Sequence, residues 1–226
     1  MEIRSSGQQI SLADGLNKPY GVAVDADGNS YVSDTDHHSI LRISTDGTRT
    51  SLGTGLSTPA GLALTASGDL YVADAGSGRI VRIATDGQQT TVQSGLSGAQ
   101  AVAVDAAGNL YIADTYAQRV IRVAADASRI TTTIGTGLYR PDGVAIDAAG
   151  TVFVSDFESV YRITADGTQT AIGSGMSSPS GVALDRNGNV YIADYGNHRI
   201  LMLPADGSEQ RTVVSGFGAF AVVARP

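Results

Sequence analysis

GLALTASGDLYVADAGSGRIVRIATDGQQTTVQ, residues 61–93, is the stretch on which the fold turns. It divides into four short apolar runs separated by Gly, Asp and Ser, the rhythm of successive β-strands joined by tight turns. Gly61-Leu-Ala-Leu-Thr65 reads as strand a, and Leu70-Tyr-Val-Ala-Asp74 as strand b. Ala75-Gly-Ser-Gly78 is a loop, Arg79-Ile-Val-Arg-Ile-Ala84 reads as strand c, and Gln89-Thr-Thr-Val-Gln93 as strand d. The Asp86-Gly87 pair between c and d is a hairpin signal, because Gly accepts the positive φ that such turns require.

The same paragraph recurs along the chain. Its strand b reads Tyr31-Val-Ser-Asp34, Tyr71-Val-Ala-Asp74, Tyr111-Ile-Ala-Asp114, Phe153-Val-Ser-Asp156 and Tyr191-Ile-Ala-Asp194, with the aspartates 40, 40, 42 and 38 residues apart. A fixed period of this length marks a stacked or radial array, since one copy cannot bury its apolar surface alone. Strand a is small and apolar on both faces (Val22-Ala-Val24, Val102-Ala-Val104, Val144-Ala-Ile146), whereas strand d is rich in Thr and Gln. A sheet crowded at one edge and wet at the other, repeated radially, is a propeller blade.

The ends extend the pattern. Residues 1–12 align with 41–52 as strands c and d, and residues 216–224 align with 95–103 as strand a. The expected architecture is therefore an all-β, six-bladed propeller in one domain spanning 1–226. Its repeats run approximately 15–54, 55–94, 95–136, 137–174 and 175–215. Residues 1–14 and 216–226 share a closing blade that lacks strand b, with Ile3, Ile10 and Leu12 docking into it.

Composition removes several functions. The 226 residues include no Cys, which excludes disulfides, thiolate metal sites and a Cys nucleophile. The net charge is −7 with a single lysine, Lys18, too little positive charge for phosphate contacts, so nucleic acid is not an expected partner. No apolar run reaches the length of a membrane span. Asp supplies 19 of the 22 acidic residues, mostly in recurring turn slots, so the charge is turn chemistry more than an acidic face.

The motifs Pro179-Ser-Gly-Val-Ala-Leu-Asp185, Gly188-Asn-Val-Tyr-Ile-Ala-Asp194 and Asn197-His-Arg-Ile200 resemble those of NHL repeats, and the resemblance runs through residues 1–226. It implies a propeller similar to the extracellular sensor domain of a mycobacterial receptor kinase and to RNA- or protein-binding modules of animal TRIM-type proteins. An extracytoplasmic domain of a bacterial protein is favoured over a cytoplasmic one.

Function belongs where the copies differ. The repeated Asp, with Arg79, Arg119 or Arg199 five residues on, is read as a turn-holding element because it recurs in the copies. The slot after the strand-a proline varies instead: Tyr20, Ala60, Gln100, Asp142, Ser180 and Phe220. These residues are expected to ring the mouth of a central channel, and one carboxylate among them falls short of the six to eight oxygens of a calcium site. Tyr116, Tyr139, Arg140, Phe157 and Tyr195 fall on loops of the same face. The expected ligand-binding residues are Tyr20, Gln100, Tyr116, Tyr139, Arg140, Asp142, Phe157 and Tyr195, with no catalytic or metal-ligating residue and no cofactor. The function expected is non-catalytic recognition, by a monomer, of a protein, peptide or glycan. A lyase or hydrolase with Asp142 as its acid or base, helped by Gln100 or Tyr20, is the alternative. A structural or laboratory-built repeat scaffold is the other.

Overall fold

In the computed structural model, which describes residues 2–3, 9–11, 13–216 and 218–223, the five repeats form five four-stranded antiparallel sheets, each in the order a-b-c-d. Blade one comprises Pro19–Val24, Ser30–Asp34, Ser39–Ile43 and Arg49–Leu52. Blade two comprises Pro59–Leu64, Leu70–Asp74, Arg79–Ile83 and Gln89–Gln93. Blade three comprises Ala99–Val104, Leu110–Asp114, Arg119–Val123 and Thr131–Ile134. Blade four is formed by Gly143–Ile146, Val152–Ser155, Val160–Ile163 and Gln169–Ile172, and blade five by Pro179–Leu184, Val190–Asp194, Arg199–Leu203 and Arg211–Ser215. Strand a of each blade packs on strand a of the next, so the sheets radiate from an axis and the fold is a β-propeller.

The cores lie between blades rather than within them. Ala23, Tyr31 and Ile40 of blade one pack with Leu56, Leu70, Val72, Val81 and Ile83 of blade two. The same arrangement joins blades two and three around Ile80, Ile112 and Ile121, and blades four and five around Val160, Ile192 and Leu201. Fully burying each such side chain contributes about 1.5–3 kcal/mol as an upper bound. A blade removed from its neighbours would lose that burial, which is why the repeat exists in copies.

Glycine sets how closely strands a converge. A Cβ on Gly61 would lie 2.6 Å from the Cα of Ala101, and one on Gly181 would lie 2.6 Å from the Cα of Ala221. At the far end of blades one, two and four, Gly47, Gly87 and Gly167 close three-residue loops: Ser44 N donates to Thr48 O at 2.9 Å, and Gly47 has φ +86°.

The six-bladed expectation is corrected: five complete blades form. At the N-terminus, Glu2–Ile3 and Gln9–Ile10 pair as the expected c–d hairpin, but over two residues each. Residues 218–223 adopt no strand and pair with no sheet among the described residues, so the two ends build no shared four-stranded blade. Too few backbone pairs remain there to propagate a sheet. The side chains of Ile3, Ile10 and Leu12 lie outside the described residues. The sixth place at the axis is nevertheless taken, because Phe220, Ala221 and Val222 line the channel between strands a of blades five and one.

Candidate functional site

The channel opens on the face that carries the b–c and d–a loops. In four blades the b–c loop is one 3-10 turn, Thr35–His37, Ala75–Ser77, Thr115–Ala117 or Tyr195–Asn197, followed by a residue in the left-handed region. Blade four departs from this. Its loop is a two-residue hairpin in which Asp156 and Ser159 exchange backbone hydrogen bonds, and Phe157 sits at the tip.

The repeated aspartates hold these loops in place. Asp114 Oδ1 accepts from Ser97 N at 2.6 Å, and its Oδ2 accepts from Arg119 Nε at 2.9 Å. Asp74 and Asp194 bind Ser57 N with Arg79 and Ser177 N with Arg199 in the same way. In blade one His37 replaces the arginine, 2.8 Å from Asp34. In blade four Asp156 accepts from the backbone N–H groups of Tyr139, Arg140 and Phe157. Each carboxylate thus closes a d–a loop onto its own blade with both oxygens already engaged by protein donors.

The varying slot behaves differently. Tyr20, Gln100, Asp142, Ser180 and Phe220 line one cavity of about 60 Å³ at the axis. The Tyr20 hydroxyl donates to Asp142 Oδ1 at 2.7 Å, linking blade one to blade four across the bore. Both side chains keep some surface facing the channel, while surrounding protein removes most of their bulk solvent. That burial, first, and the charge of Asp142, second, push the Tyr20 phenol well above its usual range. Burial likewise raises the Asp142 carboxyl, against the opposing pull of the Tyr20 hydrogen bond and the Arg140 charge. Asp142 belongs to no ion pair among the described residues, and no donor among them reaches its Oδ2. Gln100 sits beside it with a side-chain amide that makes no hydrogen bond within the described residues.

The aromatic residues sort into two groups rather than one patch. Tyr139 and Phe157 meet edge to face, ring centres 5.7 Å apart, on blade four. Tyr195 belongs elsewhere: it stacks on Phe220 at 4.5 Å, and Phe220 stacks on Tyr20 at 5.2 Å. The second group is a ladder of rings running from the rim into the channel. Tyr116 stands apart, its ring lying against Gly98. Tyr116, Tyr139, Phe157, Tyr195 and Phe220 are 68%, 57%, 42%, 37% and 37% exposed, a concentration of accessible rings on one face. Arg140 is exposed beside them. Phe220 was not among the expected binding residues; the alignment of 216–224 with strand a, which puts it in the slot of Tyr20 and Asp142, was the signal for it. Among the described residues no group of His, Asp and Glu is placed to hold a metal ion, and no helix is long and apolar enough to cross a membrane.

Solved structures share this fold. The streptogramin B lyase structure superposes with a TM-score of 0.76 at 14% identity, covering 98% of this chain and 78% of that one. A catalytically inactive virginiamycin B lyase of Staphylococcus aureus with quinupristin gives 0.70 at 17% identity, covering 88% and 70%. A chain of the nidogen/laminin complex gives 0.80 at 21% identity, covering 92% and 84%. At such identities the likeness is one of fold, and enzymes and binding proteins are both represented. A search of curated protein sequences finds no match. The sequence profile of the virginiamycin B lyase family matches residues 2–219, nearly the whole propeller from hairpin to channel-lining tail, and the chain belongs to that family.

Proposed function

We propose that this propeller is a recognition module that binds a peptide, a protein segment or a glycan at its channel-mouth face, without turning it over. The observation carrying this reading is the set of exposed rings on the rim, Tyr116, Tyr139 and Phe157, together with the Tyr195–Phe220–Tyr20 ladder that descends to a polar floor. Aromatic anchors around a partly desolvated polar centre are the composition of binding hot spots. The NHL-like motifs favour the same role, that of a sensor-type domain. The net charge of −7 disfavours nucleic acid as the partner. The test is capture from peptide and glycan arrays. The Tyr139→Ala, Phe157→Ala double variant is expected to lose the captured ligand at least tenfold while keeping its thermal midpoint within a few degrees. Unchanged affinity rejects the rim as the binding surface.

A second reading, a lyase or hydrolase, is favoured by the family and by the raised Asp142 carboxyl beside a phenol, a pairing suited to moving a proton. The S. aureus comparison structure holds quinupristin in an enzyme inactivated by replacing a histidine with alanine. Here the histidines sit on b–c loops: His37 pairs with Asp34, His38 Nδ1 accepts from Thr58 N, and His198 lies 6.3 Å from Tyr195. Only His198 adjoins the ladder. Incubation with quinupristin followed by mass spectrometry separates the readings: conversion that Asp142→Asn or His198→Ala abolishes establishes the enzyme, and intact quinupristin supports recognition.

A further inference from the structure

Resting on the recognition reading, we infer that the channel mouth is a subsite for a primary ammonium on an unbranched alkyl stem, the lysine side chain of a peptide ligand. Asp142 is the one carboxylate of the channel-lining slot, and among the described residues it forms no ion pair, the exposed Arg140 acting on it only through its charge. Its Oδ1 is occupied by Tyr20, while Oδ2 is left to an incoming donor. The Asp residues of the neighbouring loops differ in kind, since backbone amides and arginines already saturate them.

Asp142 selects the sign of the ligand, because its carboxylate attracts a cation and repels an anion. The rings beside it stack on one another, Tyr20 on Phe220 at 19° and Phe220 on Tyr195 at 23°, so they give the alkyl stem an apolar wall. The unengaged Gln100 amide offers its carbonyl oxygen to a second ammonium hydrogen.

The channel admits a stem. Its cavity of about 60 Å³ has room for several waters, and so for an ammonium and its adjoining methylenes. The remaining methylenes of a lysine would run along the Tyr20–Phe220 ladder, leaving the peptide backbone at the rim near Tyr139 and Phe157.

The test uses the full chain and n-butylammonium as probe, with backbone amide NMR shifts at Gly143, Gly181 and Ala221 as readout. Saturable shifts are expected at those amides, about tenfold weaker affinity for n-butanol, and a similar loss in Asp142→Asn. Butanol titrating as tightly, or parent-like binding by Asp142→Asn, would each overturn the inference. The two readings fail separately: no butylammonium binding alongside an array ligand lost in the rim double variant sinks the ammonium subsite and leaves recognition standing.

Discussion

Asp114 and Asp142 both stand near the inner end of a strand, yet they do opposite things. Asp114 is fully buried and spends its oxygens on Ser97 N and Arg119. Asp142 has one phenol and an open lone-pair face. Because burial raises its folded-state affinity for a proton above the ordinary value of 3.8, protonation favours the folded chain. The stabilising contribution of the protonated group is fully present below that value and is lost as pH rises through the higher folded one. Asp142→Asn keeps an oxygen for Tyr20 and removes the buried charge. Its thermal midpoint should therefore exceed that of the parent at pH 7 by about 2–4 °C, with the gain vanishing near pH 3.5. Calorimetry at the two pH values checks this. A variant both more stable and unable to bind would mark Asp142 as kept for function at a cost in stability. The sequence makes Asp142 visible because it breaks a repeated slot. That it is bonded to Tyr20 is invisible there, since the two are 122 residues apart and meet only when the ring has formed.

At the scale of elements, the blades are joined at their outer ends by glutamines that mimic backbone. Gln169 on strand d of blade four accepts from Thr136 N at 2.9 Å and donates to Thr136 O at 3.0 Å, on the loop leaving blade three. Gln89 does the same to Thr54, and Gln210 to Ser174. Between blades two and three a single bond from Arg129 to Val92 O stands in that region. Exposed pairs of this kind contribute modestly, so Gln169→Ala should lower the unfolding free energy by about 1 kcal/mol. Asp114→Ala, which strands Arg119 and the Ser97 amide, should cost about 2–3 kcal/mol. Urea midpoints of the two variants test that order. Strand positions were legible because Tyr-Val-Ala-Asp fixes strand b and Asp-Gly fixes the c–d turn. The glutamine clamps were not, because a Gln on a polar strand d reads simply as an exposed edge. That strand a is small and apolar is plain from Val-Ala-Val, but the close approach of neighbouring strands a depends on Gly61 and Gly181.

For the whole molecule, the seam is the part the sequence describes least well. The match of residues 1–12 to strands c and d meets a hairpin of two residues per strand, and the match of 216–224 to strand a meets no strand in 218–223; sequence matching does not count backbone hydrogen bonds, and a full sixth sheet does not result. Closure at the axis rests visibly on Phe220, wedged between Tyr20 of the first blade and Tyr195 of the last. Phe220→Ala should therefore cost about 1–3 kcal/mol, less than a fully buried Phe because this ring is partly exposed. Phe157→Ala, on a loop tip, should change stability by no more than about 0.5 kcal/mol. Equal urea midpoints for the two variants would mean that the ring is held shut elsewhere.

The hydrogen bond from Tyr20 to Asp142 is a chord of the circle. Neighbouring sheets can stack without it, but the two ends of a chord meet only on a finished circumference. With no tryptophan in the chain, the ultraviolet difference between the parent and Tyr20→Phe would isolate that phenol among nine tyrosines and report on closed rings. Any guest that draws Asp142 toward itself would announce its arrival in the same signal.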